Sequence, residues 1–364
     1  MTKTRMSALI AGALLALALP TVAEAKKGPK LTVMTRNVFL GADLSPAINA
    51  PTLDAAIDGA GVIWNEMQST KFAERAKPLA REIKRSKADL VGLQEVALWR
   101  KQTPSDLGGP PQNPNGKPAT QVEQDFLAIL KRELKRSYKV VVVQKEFDAE
   151  LPVDQDGSDA TGGLFGADFD ARLTMRDVIL VRRGSKVKLG KKRKGHFTTR
   201  YEPNVGGFVL PVDRGWASVE AKLGKKRFRF VDTHLEAFGD PTIREAQAKE
   251  LTKGPLKSKR QVILVGDLNS GIARHNEPEQ PGDDLAFKAL AGFGMKDNGA
   301  VQSCCYSSLF DPALTFDHTV DHVLSKPGLK TTRAFVTGNK ASERTPSGLW
   351  PSDHGGVVST LRLK

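Results

Sequence analysis

Apolar residues in this chain gather in short runs that stop abruptly at polar ones. Val262, Ile263, Leu264 and Val265 form an unbroken, mostly β-branched run, too short for a helix, which predicts a strand buried on both faces. Gly266 lets the backbone leave the sheet, and Asp267 and Asn269, two apart, point the same way at the strand's carboxyl end. A plain turn is the alternative for this stretch. Leu31 to Val38 alternates and carries Asn37 at its end, Ala88 to Glu95 closes in Gln94 and Glu95, and Arg176 and Asp177 precede the run Val178 to Val181. Trp216 to Lys222 and Arg227 to His234 flank Gly224 and Lys225 as a hairpin whose second strand ends in His234. Thr319 to Leu324 carries Asp321 inside a strand, and Ser352, Asp353 and His354 precede the final strand, Val357 to Leu363. Open α/β sheets place their chemistry at such strand ends.

Between these strands the apolar spacing turns helical. Ile57, Val62 and Ile63 mark a helix over Thr52 to Met67, and Phe72, Ala76, Leu79 and Ile83 mark another over Thr70 to Arg85. Val122 to Leu134 shows the same spacing before the β-branched run Tyr138 to Val143, and Pro241 to Leu251 is a short helix. Three stretches break the alternation. Thr103 to Thr120, rich in Pro, Gly and Asn, is a functional surface loop or a mobile insertion. Phe147 to Asp170 collects acids among glycines and reads as a solvated loop, because Asp154-Gln155-Asp156-Gly157 lacks the spacing of a calcium loop. Lys186 to Lys194 reads as a basic, solvated turn.

The first residues bear on where the protein acts. Lys3 and Arg5 lead into an apolar run from Met6 to Leu19 that reaches Ala23-Glu24-Ala25, a small-x-small cleavage signature. Residues 1–25 therefore read as a secretory signal peptide and 26–364 as one exported, soluble domain. The apolar run is shorter than the roughly 18 residues a membrane span needs. Loss of Lys3, Arg5 and Glu24 lowers the formal charge from +14 to +13. That excess suits a polyanion such as nucleic acid, a teichoic-type polymer or an anionic lipid surface, and it equally suits solubility alone. With 40% hydrophobic residues in 364, a substantial core is available. Cys304 and Cys305, the sole cysteines, are adjacent and read either as a strained vicinal disulfide or as two separate thiols. Nothing resembles a zinc site.

The strand-end signatures stand in one order: T-R-N, Q-E, R-D-V-I-L, T-H-L-E, G-D-L-N and S-D-H, with V-D-H-V-L before the last. From Leu31 to Leu363 this ordered set resembles the endonuclease/exonuclease/phosphatase superfamily, the deoxyribonuclease I-like proteins. The resemblance implies an α/β fold, a four-layer sandwich of two packed mixed β-sheets flanked by helices, with the site at one end of the sheets. It implies that Glu95 ligates a divalent cation, usually magnesium with manganese or calcium as substitutes, and that Asn37 and Asp353 stand beside it. It makes His354 the catalytic histidine, Asp321 the acid that orients it, and Asp267 the carboxylate that positions or deprotonates the attacking water. Asn269 and His234 would stabilise the phosphoryl oxygens, and Arg176 would contact phosphate. Two departures cloud the substrate: Gly355-Gly356 follows S-D-H, and both long insertions lack a general counterpart. Asp43, in G-A-D-L, is read as a helix cap in preference to an additional site residue.

Phosphodiester hydrolysis needs an activated water, neutralised phosphoryl oxygens and a stabilised leaving oxygen, and this residue set supplies all three. The basic charge points first to nucleic acid as substrate, although 6% aromatic content offers few stacking platforms. A phospholipid headgroup phosphodiesterase or phosphatase is the rival on the same fold, against which the hairpin tip Gly224-Lys225-Lys226 lacks the apolar side chains that enter a membrane. A non-catalytic polyanion-binding protein is the alternative of another class. No protein partner is implied.

Overall fold

A strand that is apolar at every position needs a covering layer on each face. The computed structural model describes residues 28–108, 113, 115–158, 166–273, 281–313 and 315–364, and in it the strand Gln261–Ala273 has both layers. Ile263 and Val265 face the seam between two sheets, packing with Leu31, Val33, Ile179, Phe228 and Phe230. Val262 and Leu264 face outward, onto Leu251 of the helix Pro241–Lys253 and Leu290 of the helix Leu285–Gly292. The expected signal peptide lies outside the described residues, as do parts of both insertions. Among the described residues no helix is long and apolar enough to cross a membrane.

The larger sheet has eight strands and its partner six. In the larger, Lys30–Asn37 runs parallel to Leu90–Gln94 and antiparallel to Gly356–Leu363. In the smaller, Lys226–His234 runs parallel to Gln261–Ala273 and antiparallel to Gly215–Leu223. Both sheets are mixed. The helices Leu53–Ser69, Phe72–Ser86 and Phe126–Leu134 cover the outer face of the larger sheet through Trp64, Met67, Phe72, Leu79 and Phe126. The layers therefore run helix, sheet, sheet, helix, as the resemblance implied.

Three local expectations are corrected. Val122 to Leu134 is not one helix: Gln121–Asp125 is a strand paired with Leu98–Gln102, and the helix starts after Asp125, whose carboxylate accepts from Ala128 N (3.2 Å). The two ends of the acidic stretch are not solvated loop, because Asp148 and Glu150 lie on the strand Tyr138–Val153 and Asp170 on the strand Phe169–Arg182, while part of its middle lies outside the described residues. Asp170 is buried and accepts from Ser105 Oγ (2.6 Å), Asp106 N (2.9 Å) and Gly108 N (3.1 Å), while Glu150 accepts from Ala119 N (2.8 Å). These carboxylates peg both ends of the Pro- and Gly-rich insertion to the sheet. The basic stretch is not a turn either: Lys188–His196 is an exposed edge strand, and lysines on an edge also guard it against pairing with another chain.

Gly266 illustrates how tightly the central strand leaves the sheet. Its φ is 156°, and a Cβ there would lie 2.0 Å from Thr233 O. Gly266→Ala is expected to destabilise the protein by roughly 2 kcal/mol or more; a denaturant melt within about 0.5 kcal/mol of the parent would show that the neighbouring strand yields.

Candidate active site

Strand register gathers the polar ends. Asn37 pairs with Gln94 in one sheet, while His234 pairs with Asp267 and Asp267 with Asp321 in the other. Asn37 bridges the sheets: its Nδ2 donates to Glu95 Oε1 (2.9 Å) and Asp267 Oδ2 (3.0 Å), and its Oδ1 accepts from Phe39 N (2.9 Å). The atom of Asn37 that faces Glu95 is a donor that orients the carboxylate.

Glu95 follows its strand with φ at 60°, a conformation uncommon for a residue other than glycine. Its Oε2 accepts from Leu40 N (2.8 Å). Burial, and then the carboxylate of Asp353, push the Glu95 carboxyl up. Neither acid has a lysine or arginine ion pair among the described residues. Two repelling oxygen donors without a lysine or arginine ion pair among the described residues fit a hard divalent cation. Asp267, Asp321 and His354 also bring donor atoms within 4.8 Å of one another. There, however, Asp321 Oδ2 already accepts from His354 Nδ1 (2.9 Å) and Ser303 Oγ (2.7 Å).

The two histidines end in opposite charge states. Burial pulls the His354 imidazole down, but Asp321, Asp353 and Asp267 together push it well above its ordinary value, so the ring is charged. Its Nε2 lies 3.7 Å from Asp267 Oδ2. Burial pulls His234 well below its ordinary value, and Arg214 adds to the effect. Because a guanidinium only donates, the 3.1 Å contact from Arg214 makes His234 Nδ1 the acceptor and puts the neutral ring's proton on Nε2. That Nε2 stands 3.0 Å from Asn269 Nδ2, which donates to Leu235 O (3.0 Å). Two N–H donors thus lie side by side, an arrangement suited to a phosphoryl oxygen.

A cavity of about 500 Å³ opens onto Glu95, Asn269, Asp353 and His354. A second recess of about 660 Å³ adjoins it at Asn269 and Ser307. Cys304 and Cys305 line that recess, joined as a vicinal disulfide, with their sulfurs 3.7 and 4.0 Å from His354 Nε2.

A model of the endonuclease/exonuclease/phosphatase family matches residues 63–354. The chain belongs to this family. Its fold is shared by an endonuclease/exonuclease/phosphatase family protein from Bacteroides thetaiotaomicron, at 18% identity over 93% of this chain and 99% of that one, with a TM-score of 0.54. A mannosyl-6-phosphatase from the same species shares it at 18% identity over 91% and 99%, TM-score 0.52. So does D. rerio TDP2 complexed with a single-strand DNA product, at 16% identity over 92% and 99%, TM-score 0.50. At such identities the likeness is one of fold. No curated protein matches the chain.

In this family member Arg176 does not reach the cavity, which corrects its expected phosphate contact. Its donors go to Val96 O (2.8 Å), Ala97 O (2.9 Å) and Asp125 Oδ1 (2.6 Å), so it braces the turn that carries Glu95. Neighbours on a strand face opposite ways, and Asp177 takes the side of the site. Arg214, which lines the cavity, was missed; the only sequence signal was an arginine just before the strand Gly215–Leu223. Behind it Glu146, Asp177 and Asp232 are buried, and both oxygens of Glu146 and Asp177 and Oδ2 of Asp232 accept no hydrogen bond from the described residues, Glu146 Oε2 lying 3.8 Å from His196 Nε2.

Burial pushes the Asp177 carboxyl from 3.8 up to about 8; Arg214 opposes this and Glu95 adds to it. Between those values the native state holds a proton that the unfolded chain has lost, so stability falls as pH rises through the window and the loss ends above the folded value. Melts in chelator from about pH 5 to about pH 8 should fall less steeply for Asp177→Asn than for the parent, by on the order of 1 kcal/mol per pH unit. Parallel curves would place the titration elsewhere.

Proposed function

We propose that this family member is an exported, metal-dependent phosphodiesterase. The observation that carries the reading is the junction of a paired carboxylate site, Glu95 and Asp353, with His354 and Asn269 at one cavity, and with His234 buried directly behind Asn269. A divalent cation, magnesium in the leading reading, would be held by Glu95 and Asp353 and would supply Lewis-acid neutralisation of a phosphoryl oxygen. The side chains supply the rest. Asn37 holds Glu95 and Asp267 in a fixed relation, so that Asp267 Oδ2 can receive a proton from the attacking water. His234 Nε2–H and Asn269 Nδ2–H donate to the phosphoryl oxygens, and His354, held by Asp321, offers charge or a proton from Nε2.

Export is supported by the N-terminal pattern of residues 1–25, and a single domain over 26–364 by the family match across most of it. Among fold relatives, one acts on a mannosyl phosphate and another holds a DNA product. Nucleic acid is the second, finer reading, favoured by the exposed basic strand Lys188–His196. The lysines of the hairpin tip, Lys225 and Lys226, give it less support. The hairpin turn between Leu223 and Lys226 lies at the far end of a nine-residue strand from His234, about 26 Å away at roughly 3.3 Å per residue.

Glu95→Gln is expected to lower kcat/KM on the order of 100-fold, with partial rescue by excess magnesium. Full activity of that variant in chelator would remove the metal assignment. His354→Ala is expected to cost roughly 1,000-fold, and the double change with Asp321→Asn little more, because the pair acts as one unit. Strictly additive losses, or an Asp321→Asn enzyme that melts early yet turns over normally, would make Asp321 a structural acid.

A further inference from the structure

We infer that the cavity beside the reacting groups selects its phosphodiester by the organic substituent: compact, free of further negative charge and rich in hydrogen-bond donors. This rests on the phosphodiesterase reading above and adds to it the residues that decide the substrate. The cavity holds about 500 Å³, room for a small substituent. One wall is apolar, built from Phe39, Leu44, Ile48, Phe147 and Phe238. Asp43, which is exposed, and the half-buried Glu66 also line the cavity, close enough to Asp353 for the three acids to act on one another at Glu66.

That acidic wall is built rigidly. Asp43 N donates to Glu66 Oε2 (3.0 Å), and Asp43 Oδ1 accepts from Ser45 N (2.9 Å) and Ser45 Oγ (2.7 Å). The sequence reading of Asp43 as a helix cap is corrected: the N-cap of the helix Ser45–Ile48 is Leu44, without a side-chain cap, and Asp43 makes a local turn contact to Ser45 while lining the cavity. The segment behind it is tied down by Trp99 Nε1 to Leu40 O (2.9 Å) and Thr70 Oγ1 to Gly41 O (2.8 Å). Asp43 Oδ2 and Glu66 Oε1 accept no hydrogen bond from the described residues, and neither acid has an ion-pair partner among them. Burial pushes Glu66 up; its hydrogen bond from Asp43 N opposes this, and the charges of Asp43 and Asp353 add to the rise.

Ionised carboxylates only accept, so what they bind must donate. A second phosphate would meet like charge. Among the described residues Arg214 is the one arginine or lysine on the lining, and its donors are committed to Glu236 (3.4 Å) and His234 (3.1 Å). The basic strand that could hold a polyanion, Lys188–His196, contributes nothing to this lining. Hydroxyls and an ammonium group share the chemistry the wall accepts.

The test compares p-nitrophenyl phosphodiesters of glycerol and of ethanolamine with bis(p-nitrophenyl) phosphate and a single-stranded oligonucleotide, using the mature protein with magnesium or manganese. The parent should favour one donor-bearing ester over bis(p-nitrophenyl) phosphate by roughly tenfold or more in kcat/KM. The ester that responds identifies hydroxyl or ammonium as the donor. The double variant Asp43→Asn with Glu66→Gln should cut that preference by about tenfold and raise kcat/KM on the oligonucleotide several-fold, a gain that misfolding cannot produce. Glu66→Gln alone, which leaves the turn at Ser45 intact, should shift both in the same directions if the double variant does not fold. An unchanged preference, or a parent that favours the oligonucleotide over both esters, overturns this inference alone. No p-nitrophenol from any of the three diesters, together with no cleavage of the oligonucleotide, overturns the phosphodiesterase reading and this inference with it.

Discussion

A guanidinium group stripped of water must recover its hydrogen bonds from the protein, and the way Arg75 does so holds the site together. Buried in the helix layer, it donates to Thr70 O (2.8 Å), Val38 O (2.9 Å), Pro351 O (3.0 Å) and Phe39 O (3.2 Å). One side chain thereby fastens the chain that follows Asn37 to the chain that precedes Asp353 and His354. Burial pulls its pKa down to about 9, with Asp353 and Glu95 opposing, so it stays charged at neutral pH. Arg36 repeats the device: it donates to Asn37 O and His354 O and pairs with the buried Glu82 (3.1 Å). Such buried charges add little net stability, but loss of either guanidinium would leave several carbonyls unpaired at the seam.

With the backbone held by cations, the side chains at the seam are free to be acids. Glu95, Asp267, Asp321 and Asp353 stand close enough to act on one another and on His354, and Glu146, Asp177 and Asp232 lie behind them. Burial, joined by the crowding of like charge, raises the carboxyls of Glu95, Asp267, Glu146, Asp177 and Asp232; the same acids lift His354 against its own burial, while burial holds His234 down. The molecule is therefore electrostatically two-sided. Its net positive charge includes an exposed edge strand, whereas the cavity wall carries Asp43, Glu66 and Asp353. Net charge describes the surface a partner first meets, not the pocket where a substituent settles.

Much of the architecture was legible along the chain. Val262 to Val265, the helices near residues 52–86 and the hairpin ending in His234 were read within a few residues of their bounds, because burial on one or both faces imposes a period on apolar positions. The ordered polar residues at strand ends were equally plain, and the convergence of Asn37, Glu95, His234, Asp267, Asn269, Asp321, Asp353 and His354 follows from strand register. Short strands with weak apolar signal were not legible: Gln121–Asp125 exists because Leu98–Gln102 offers it an edge, and Lys188–His196 because Gly215–Leu223 does.

The sequence by itself determined the apolar strands, their order and the polar residues that close them, since those are local consequences of period and chain direction. Tertiary structure alone decided which charged groups meet. It sent Arg176 to the backbone of residues 96 and 97, brought Arg214 against His234, buried Asp177 beside Glu95, and turned Asp170 and Glu150 into pegs for an insertion. A charge has no periodic signature, and its partner here lies as far away as Asp232 does from Gln94 or Asp267 from Asn37. Only the pairing of strands across two sheets brings such groups within hydrogen-bond reach, and the cost of burying them unpaired then selects the arrangement that satisfies most of them.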